Sequence, residues 1–312
     1  MTLIAFHDGV NNSSLVEWRY WASKLNKKVS FVSLIEKQAD KAEIALVWNP
    51  PEGRLAELTN LKLICSLGQG VDHLWKDRHI PLSIPIIRLV DANMSHALSQ
   101  WVMAVLLDFL RDGSFYRQNR EKREFNKLPQ RSTYATKTAV YGIGAIGSVV
   151  ANKLRNFDFE VTGWAQTRKP HLLFKQEIGT EGFQNLLSNN LIHICLLPLT
   201  LSTKKLFNQE AFMKMPKGAY FINAGRGEQV DEIALLNAVH IEHLSGAALD
   251  VFCEEPLPVS HPFWEEKKIS IWPHVAAQTN PETAVEQVIE AIHAIKSGRV
   301  PKNIVDPIRQ YL

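Results

Sequence analysis

At 312 residues, 46% hydrophobic and 21% charged, the chain has enough apolar material for two domains, each with its own core. Its formal net charge of +3 comes from 35 basic and 32 acidic side chains that are interspersed, which excludes the clustered basic face of a nucleic-acid binder. The three cysteines form no CxxC pair and no Cys/His group at zinc spacing, so no metal is expected; the N-terminus lacks a signal-peptide pattern, no apolar run reaches membrane-spanning length, and a cytoplasmic protein is expected.

Strands are expected at Leu3–Phe6, Val29–Ile35, Ile44–Trp48, Leu61–Ser66 and Ile84–Arg88, with helices over Ser14–Leu25 and Pro51–Leu58 between them. From about Ser95 the apolar residues Leu98, Trp101, Val102, Val105, Leu106 and Phe109 repeat at helical spacing. A charged stretch, Arg117 to Thr136, reads as irregular. A second series then begins with Thr138–Tyr141 and continues with strands at Glu160–Trp164, Leu191–Leu197, Ala219–Asn223, Gly246–Val251 and Ile269–Ile271. The last helix is marked by Asn280 as N-cap, Pro281 in the first turn and Gly298 beyond the end. Two alternating βα series predict an α/β protein of two doubly wound parallel-sheet domains with a cleft between them.

The segment Gly142-Ile143-Gly144-Ala145-Ile146-Gly147 lies between a strand and a helix, where glycines let the backbone approach a pyrophosphate and helix N-terminal amides receive it. A close-packed glycine turn is the alternative reading. About 20 residues further on, an NAD-binding unit carries an acid for the ribose. Here Ala165 is followed by Gln166, Thr167, Arg168 and Lys169. The missing acid and the two bases favour NADPH, whose extra phosphate suits a guanidinium, with NADH as the alternative.

Three later segments each offer a chemical tool. Arg226, between two glycines after a strand, can hold a carboxylate and its neighbouring carbonyl with one planar fork. Glu255 ends the run Leu249-Asp250-Val251-Phe252-Cys253-Glu254-Glu255-Pro256, and His274 follows Pro273 after another strand. Taken singly, a surface ion pair, a solvated acid and a structural histidine are the alternatives. Together, after a dinucleotide loop, they suit reduction of a 2-oxo acid.

These motifs, with Ala45–Pro51 and Ser66-Leu67-Gly68-Gln69-Gly70-Val71-Asp72, resemble the D-isomer-specific 2-hydroxyacid dehydrogenases, most closely the glyoxylate/hydroxypyruvate reductase A branch, over nearly the whole chain. The resemblance implies that Arg226 binds the substrate carboxylate, that His274 is the proton donor and that Glu255 pairs with it. It implies that Trp48 and the backbone of Leu67, Gly68, Gln69 and Gly70 contact the substrate. The cofactor would meet Gly142, Gly144, Ala145, Ile146, Gly147, Thr167, Arg168, Lys169, Pro198, Thr203 and Asp250. Residues 1–95 and 282–312 would form a flavodoxin-like substrate domain, residues 96–281 a Rossmann cofactor domain, and the latter a homodimer. Gln69, Gln100 and Gln166 depart from the family pattern. The expected reaction is NADPH-dependent reduction of glyoxylate, hydroxypyruvate or a similar small acid. Another D-2-hydroxyacid dehydrogenase, differing in side-chain or NAD preference, and a non-catalytic dinucleotide-sensing scaffold are the competing expectations.

Overall fold

The computed structural model describes residues 2–9, 12–25, 28–130 and 134–306. The chain divides into two compact units, Met1–Met94 with Gln278–Leu312, and Ser95–Ala277. The return falls a few residues before the expected helix start because Thr279 Oγ1 already donates to the Leu67 carbonyl of the first unit.

The first unit is built on β1 (Thr2–His7), α1 (Leu15–Leu25), β2 (Val29–Ser33), β3 (Ile44–Val47), β4 (Leu63–Ser66) and β5 (Ile86–Arg88). The strands form a parallel sheet in the order β2-β1-β3-β4-β5. Every residue of β3 and β4 is buried, as continuous apolar runs in a sheet covered on both faces require. The helix expected over Pro51–Leu58 does not form. Gly53 takes φ +76°, and the segment is a run of short turns in which Arg54, Ala56 and Leu58 donate to the carbonyls of Pro51, Gly53 and Leu55.

The second unit holds most of α2 (Ala92–Leu110), then α3 (Gly113–Lys122), β6 (Lys137–Tyr141), α4 (Ala145–Asn156), β7 (Glu160–Ala165), β8 (Lys175–Ile178), α5 (Gly179–Asn189), β9 (Ile192–Cys195), α6 (Gln209–Lys214), β10 (Ala219–Asn223), α7 (Glu232–His240), β11 (Leu244–Leu249) and β12 (Ile269–Ile271). Its seven parallel strands run β12-β11-β10-β9-β6-β7-β8, so the order reverses between β6 and β9. Open α/β sheets bind ligands beyond the carboxyl ends of strands at such a reversal. The loops there are Gly142–Gly144 and Leu196–Thr203.

In the second unit α3 and β8 also differ from expectation. The stretch read as irregular opens with α3, tied to α2 by a bidentate Arg117–Asp108 pair at 2.7 and 2.8 Å. This helix buries only Asn119, so its sequence carries no apolar stripe. Strand β8 reads Lys-Gln-Glu-Ile; at the sheet edge it needs no buried apolar run.

The last helix of the described residues is α8 (Pro281–Lys296). Asn280 Oδ1 accepts the Glu282 N–H at 2.9 Å, and Gly298 follows the helix with φ +68°. Val285, Val288, Ile289 and Ile292 pack with Trp18 and Ala22 of α1 against one face of the first sheet. In the second unit the α2 stripe from Leu98 to Leu110 packs with Val150, Ala151 and Leu154 of α4.

Candidate active site

The three glycines after β6 have three different surroundings. Gly142 has φ +93°, and a Cβ there would stand 2.7 Å from the Leu196 carbonyl oxygen, so conformation and space both exclude a side chain. At Gly147 a Cβ would meet the Gly142 carbonyl oxygen at 1.8 Å, which lets α4 close onto the strand that precedes it. Gly144 is the opposite: nothing lies within 4 Å of its absent Cβ. It is also the N-cap of α4 with no side-chain cap, so the amides of Ala145 and Ile146 open the helix toward that space. A tight turn, an open backbone and a close helix packing are what a pyrophosphate cradle needs, and these residues fit a dinucleotide.

At the end of β7, Gln166, Thr167 and Arg168 are exposed and Lys169 is half-buried. Lys169 is held by its backbone, whose N–H and carbonyl pair with the side-chain amide of Gln176 at 3.0 and 2.9 Å. After β9, Thr203 Oγ1 donates to the Pro198 carbonyl at 2.7 Å and accepts the Thr200 N–H at 2.8 Å. That hydroxyl therefore shapes the loop holding Pro198.

Arg226 sits in a loop pinned from two sides. Asn223 Oδ1 accepts the Gly225 N–H and Asn223 Nδ2 donates to the Arg226 carbonyl, both at 3.0 Å. Gln229, fully buried, accepts the Arg226 N–H (2.9 Å) and the Cys195 thiol (3.2 Å) on Oε1 and donates from Nε2 to the Leu197 carbonyl (2.7 Å). One amide thus joins the arginine loop to the loop after β9. Gly227 packs flat on the Phe252–Cys253 peptide, where a Cβ would come within 1.9 Å of the Phe252 carbonyl carbon. Only glycine permits that approach, and it sets the arginine loop against the segment that carries Glu255.

Glu255 Oε2 lies 2.7 Å from His274 Nδ1, while Oε1 accepts the Phe252 N–H at 2.9 Å. Burial opposes ionisation of this carboxyl, yet the hydrogen bond and charge of His274, the Phe252 amide and the charge of Arg226 outweigh it and hold its pKa below the usual value. An ionised carboxylate only accepts, so Nδ1 of His274 carries the hydrogen that faces Glu255. The two side chains keep 33% and 35% of their surface exposed, which leaves the pair accessible.

His274 itself adopts φ +54°, an uncommon conformation for a side chain of this size. Asp250 maintains it. The Asp250 carbonyl accepts the His274 N–H at 2.9 Å, and its buried carboxylate accepts the amides of Val275 (2.8 Å) and Ala276 (3.0 Å). Burial raises the Asp250 pKa against these amides.

In the first unit, Trp48 and the Leu67–Gly70 loop are brought together. A Cβ on Gly68 would lie 3.0 Å from Cζ3 of Trp48, and the indole lies against the His73 ring, centroids 4.2 Å apart and planes tilted by 42°. His73 Nδ1 accepts the Asn49 N–H at 3.1 Å, so in the neutral ring Nε2 carries the hydrogen and donates to Ser66 Oγ at 3.0 Å. Ser66 in turn donates to the Gly70 carbonyl at 2.8 Å and accepts the Gly68 N–H at 3.4 Å. Ser66, His73, Asn223 and Gln229 were not singled out from the sequence. The nearest signal was their position inside or beside the quoted motifs, because what they hold is backbone.

Residues 103–276 match the family model for the NAD-binding domain of D-isomer-specific 2-hydroxyacid dehydrogenases. Glyoxylate/hydroxypyruvate reductase A of Yersinia enterocolitica is 34% identical over 319 aligned positions covering 100% of both chains. The chain belongs to the D-isomer-specific 2-hydroxyacid dehydrogenase family. It is an NAD(P)-dependent oxidoreductase of that family, with the two parallel-sheet α/β domains its solved members share. One, from Xanthobacter autotrophicus Py2, in complex with NADPH and MES, superposes with a TM-score of 0.90 at 33% identity, covering 98% of this chain and 99% of that one. The NADPH-dependent glyoxylate/hydroxypyruvate reductase of Sinorhizobium meliloti, in complex with NADP and sulfate, gives a TM-score of 0.91 at 27% identity over 100% of both. Among the described residues no helix is long and apolar enough to cross a membrane.

Proposed function

We propose that this dehydrogenase reduces small 2-oxo acids with NADPH, converting glyoxylate to glycolate and hydroxypyruvate to D-glycerate. The observation that carries the reading is the 2.7 Å His274–Glu255 contact, which supports a role for His274 Nε2 in proton exchange. Bound NADPH supplies the hydride to the carbonyl carbon. Protonated His274 gives the Nε2 proton to the 2-oxo oxygen as the C=O π bond is lost, and its Nδ1–H stays on Glu255. Arg226 holds the carboxylate and polarises the oxo group. In the first unit Trp48 and the Leu67–Gly70 amides are the proposed substrate contacts. In the second unit Gly142, Gly144, Ala145, Ile146 and Gly147 take the pyrophosphate, and Pro198 and Asp250 line the nicotinamide side.

Preference for NADPH is supported by Arg168 and Lys169 following Ala165, where no carboxylate stands to repel a 2′-phosphate. The names of the relatives agree, being NADPH- or NADP-bound and glyoxylate/hydroxypyruvate reductases. Residues 1–95 with 282–312 are the proposed substrate domain and 96–281 the cofactor domain. The latter also carries the proposed homodimer surface, supported by the exposed Tyr116, Phe125, Leu128 and Tyr134 in and after α3. A cytoplasmic location agrees with three unbridged thiols, two of them buried.

The test is oxidation of NADPH and NADH, followed by absorbance, with glyoxylate, hydroxypyruvate and pyruvate. NADPH should be preferred by at least about tenfold in kcat/KM, a difference of one charge-assisted contact. Binding of NADPH without turnover of any 2-oxo acid identifies a sensing scaffold instead. Equal use of NADH removes the role given to Arg168 and Lys169.

A further inference from the structure

The loop between β7 and β8 is closed by one side chain from the strand that follows it. Gln176, opposite Gly163 in the β7–β8 register, turns its carboxamide back onto the loop. Its Oε1 accepts the Lys169 N–H at 3.0 Å, and its Nε2 donates to the carbonyls of Lys169 (2.9 Å) and Leu172 (3.2 Å). Both amide hydrogens and the amide oxygen are engaged, and the reverse orientation would set oxygen against oxygen. The Lys169 carbonyl also accepts the Leu172 N–H at 3.0 Å, closing a turn with Pro170 where its fixed φ is favoured. Downstream, buried Phe174 and Ile143 of the glycine loop converge on Gly163, where a Cβ would come within 2.7 Å and 2.5 Å of them. Upstream, Ala165 pairs with Ile178 at the end of β7. Only Gln166, Thr167 and Arg168 lie between that paired residue and the clamped Lys169.

We infer that Gln176 is a positioning residue for cofactor choice: by clamping Lys169 and Leu172 it sets the loop that carries Arg168 and Lys169, and NADPH is favoured over NADH while that clamp holds. The inference rests on the proposed contact of these two cations with the 2′-phosphate. A guanidinium and an ammonium on long side chains grip a phosphate best when the fold itself holds their backbone. Otherwise the loop must be ordered on binding, at the expense of affinity. Ordering one backbone residue costs about a factor of ten in a binding constant. NADH carries a hydroxyl at the same ribose carbon and draws no charge-assisted contact from either cation, so its binding is indifferent to the clamp. Gln176 acts through the Lys169 backbone alone.

The test replaces Gln176 with Met, which keeps the length of the side chain and removes the amide. Adenosine 2′,5′-bisphosphate and 5′-AMP are titrated into the whole protein by calorimetry, and kcat/KM is measured for NADPH and NADH with glyoxylate. In Gln176→Met the bisphosphate should bind about tenfold more weakly while 5′-AMP stays within about twofold. The NADPH:NADH ratio should fall about tenfold, through KM for NADPH. Amide hydrogen exchange adds a measurement that needs no variant: the Lys169 amide of the wild type should be protected without nucleotide. Equal losses for both nucleotides would make Gln176 a general prop of the domain and overturn the inference. An unchanged ratio, or a Lys169 amide that exchanges freely in the wild type, overturns it as well. A wild type that binds both nucleotides equally overturns the role of Arg168 and Lys169 and this inference with it, an outcome seen before any variant is made.

Discussion

The loops carrying Arg226, Glu255 and His274 differ from the Leu67–Gly70 loop in what their side chains have left to do. In the second unit these side chains and their loops are tied down by their neighbours. Glu255 accepts from Phe252 and His274, Asp250 holds the backbone on either side of the histidine, and Gln229 ties down Arg226. In the first unit the loop backbone is equally well tied, by Ser66 and His73, yet the central side chain keeps an unmet donor.

The comparison breaks first at Gln229. Gln229→Leu strands the Arg226 N–H, the Cys195 thiol and the Leu197 carbonyl together. It should cost about 10²-fold in kcat/KM, the effect of a displacement near 1 Å at a catalytic group, and about 1–3 kcal/mol in stability. Steady-state kinetics beside a denaturant melt reads both; kcat/KM within about threefold of wild type would mean that Arg226 is held without the amide. A smaller effect is expected at His73. His73→Leu removes the acceptor of the Asn49 amide and the donor to Ser66, and should raise KM for every 2-oxo acid by about tenfold while NADPH affinity holds. An unchanged KM would detach the Leu67–Gly70 loop from substrate binding.

The smallest effect on turnover is expected at His193, which carries structure alone. It is buried between Tyr141 Oη and the Asn190 carbonyl, each 3.0 Å away, and burial pushes its pKa down to about 3. The unfolded ring, with an ordinary value near 6.5, binds a proton in acid that the folded ring refuses. Stability from this group is therefore complete above that value and is lost as pH falls from there toward 3, by about 2 kcal/mol between pH 7.5 and pH 5. His193→Gln should lack that part of the pH slope and leave kcat at neutral pH within about twofold. A mutant with the wild-type slope would show that another group governs acid unfolding.

How much of this was legible in the sequence depended on what each residue touches. The order of β10, β11 and β12 and the motifs at their ends could be read because apolar runs and special residues mark them. The glycine loop could be read for the same reason, its three positions having separate steric demands. Strand β8 could not, since an edge strand of Lys-Gln-Glu-Ile carries no apolar signature. The helix expected at Pro51–Leu58 failed on one backbone angle, at Gly53. Gln229 and His73 were illegible for a different reason. Gln229 reaches the Leu197 carbonyl 32 positions away and His73 the Asn49 amide 24 positions away. Backbone partners leave no trace in residue type. Gln69 drew notice as a departure from the family pattern, but only the coordinates reveal its unpaired donor.

The central claim is that His274, set by Glu255, gives the proton to the 2-oxo oxygen. Its most direct test is the turnover of His274→Ala measured together with its NADPH dissociation constant. The account predicts that kcat with glyoxylate falls by about 10³-fold while NADPH affinity stays within about threefold, the mark of a group acting in the transition state. Comparable losses in turnover and cofactor affinity would contradict it and make His274 a structural residue.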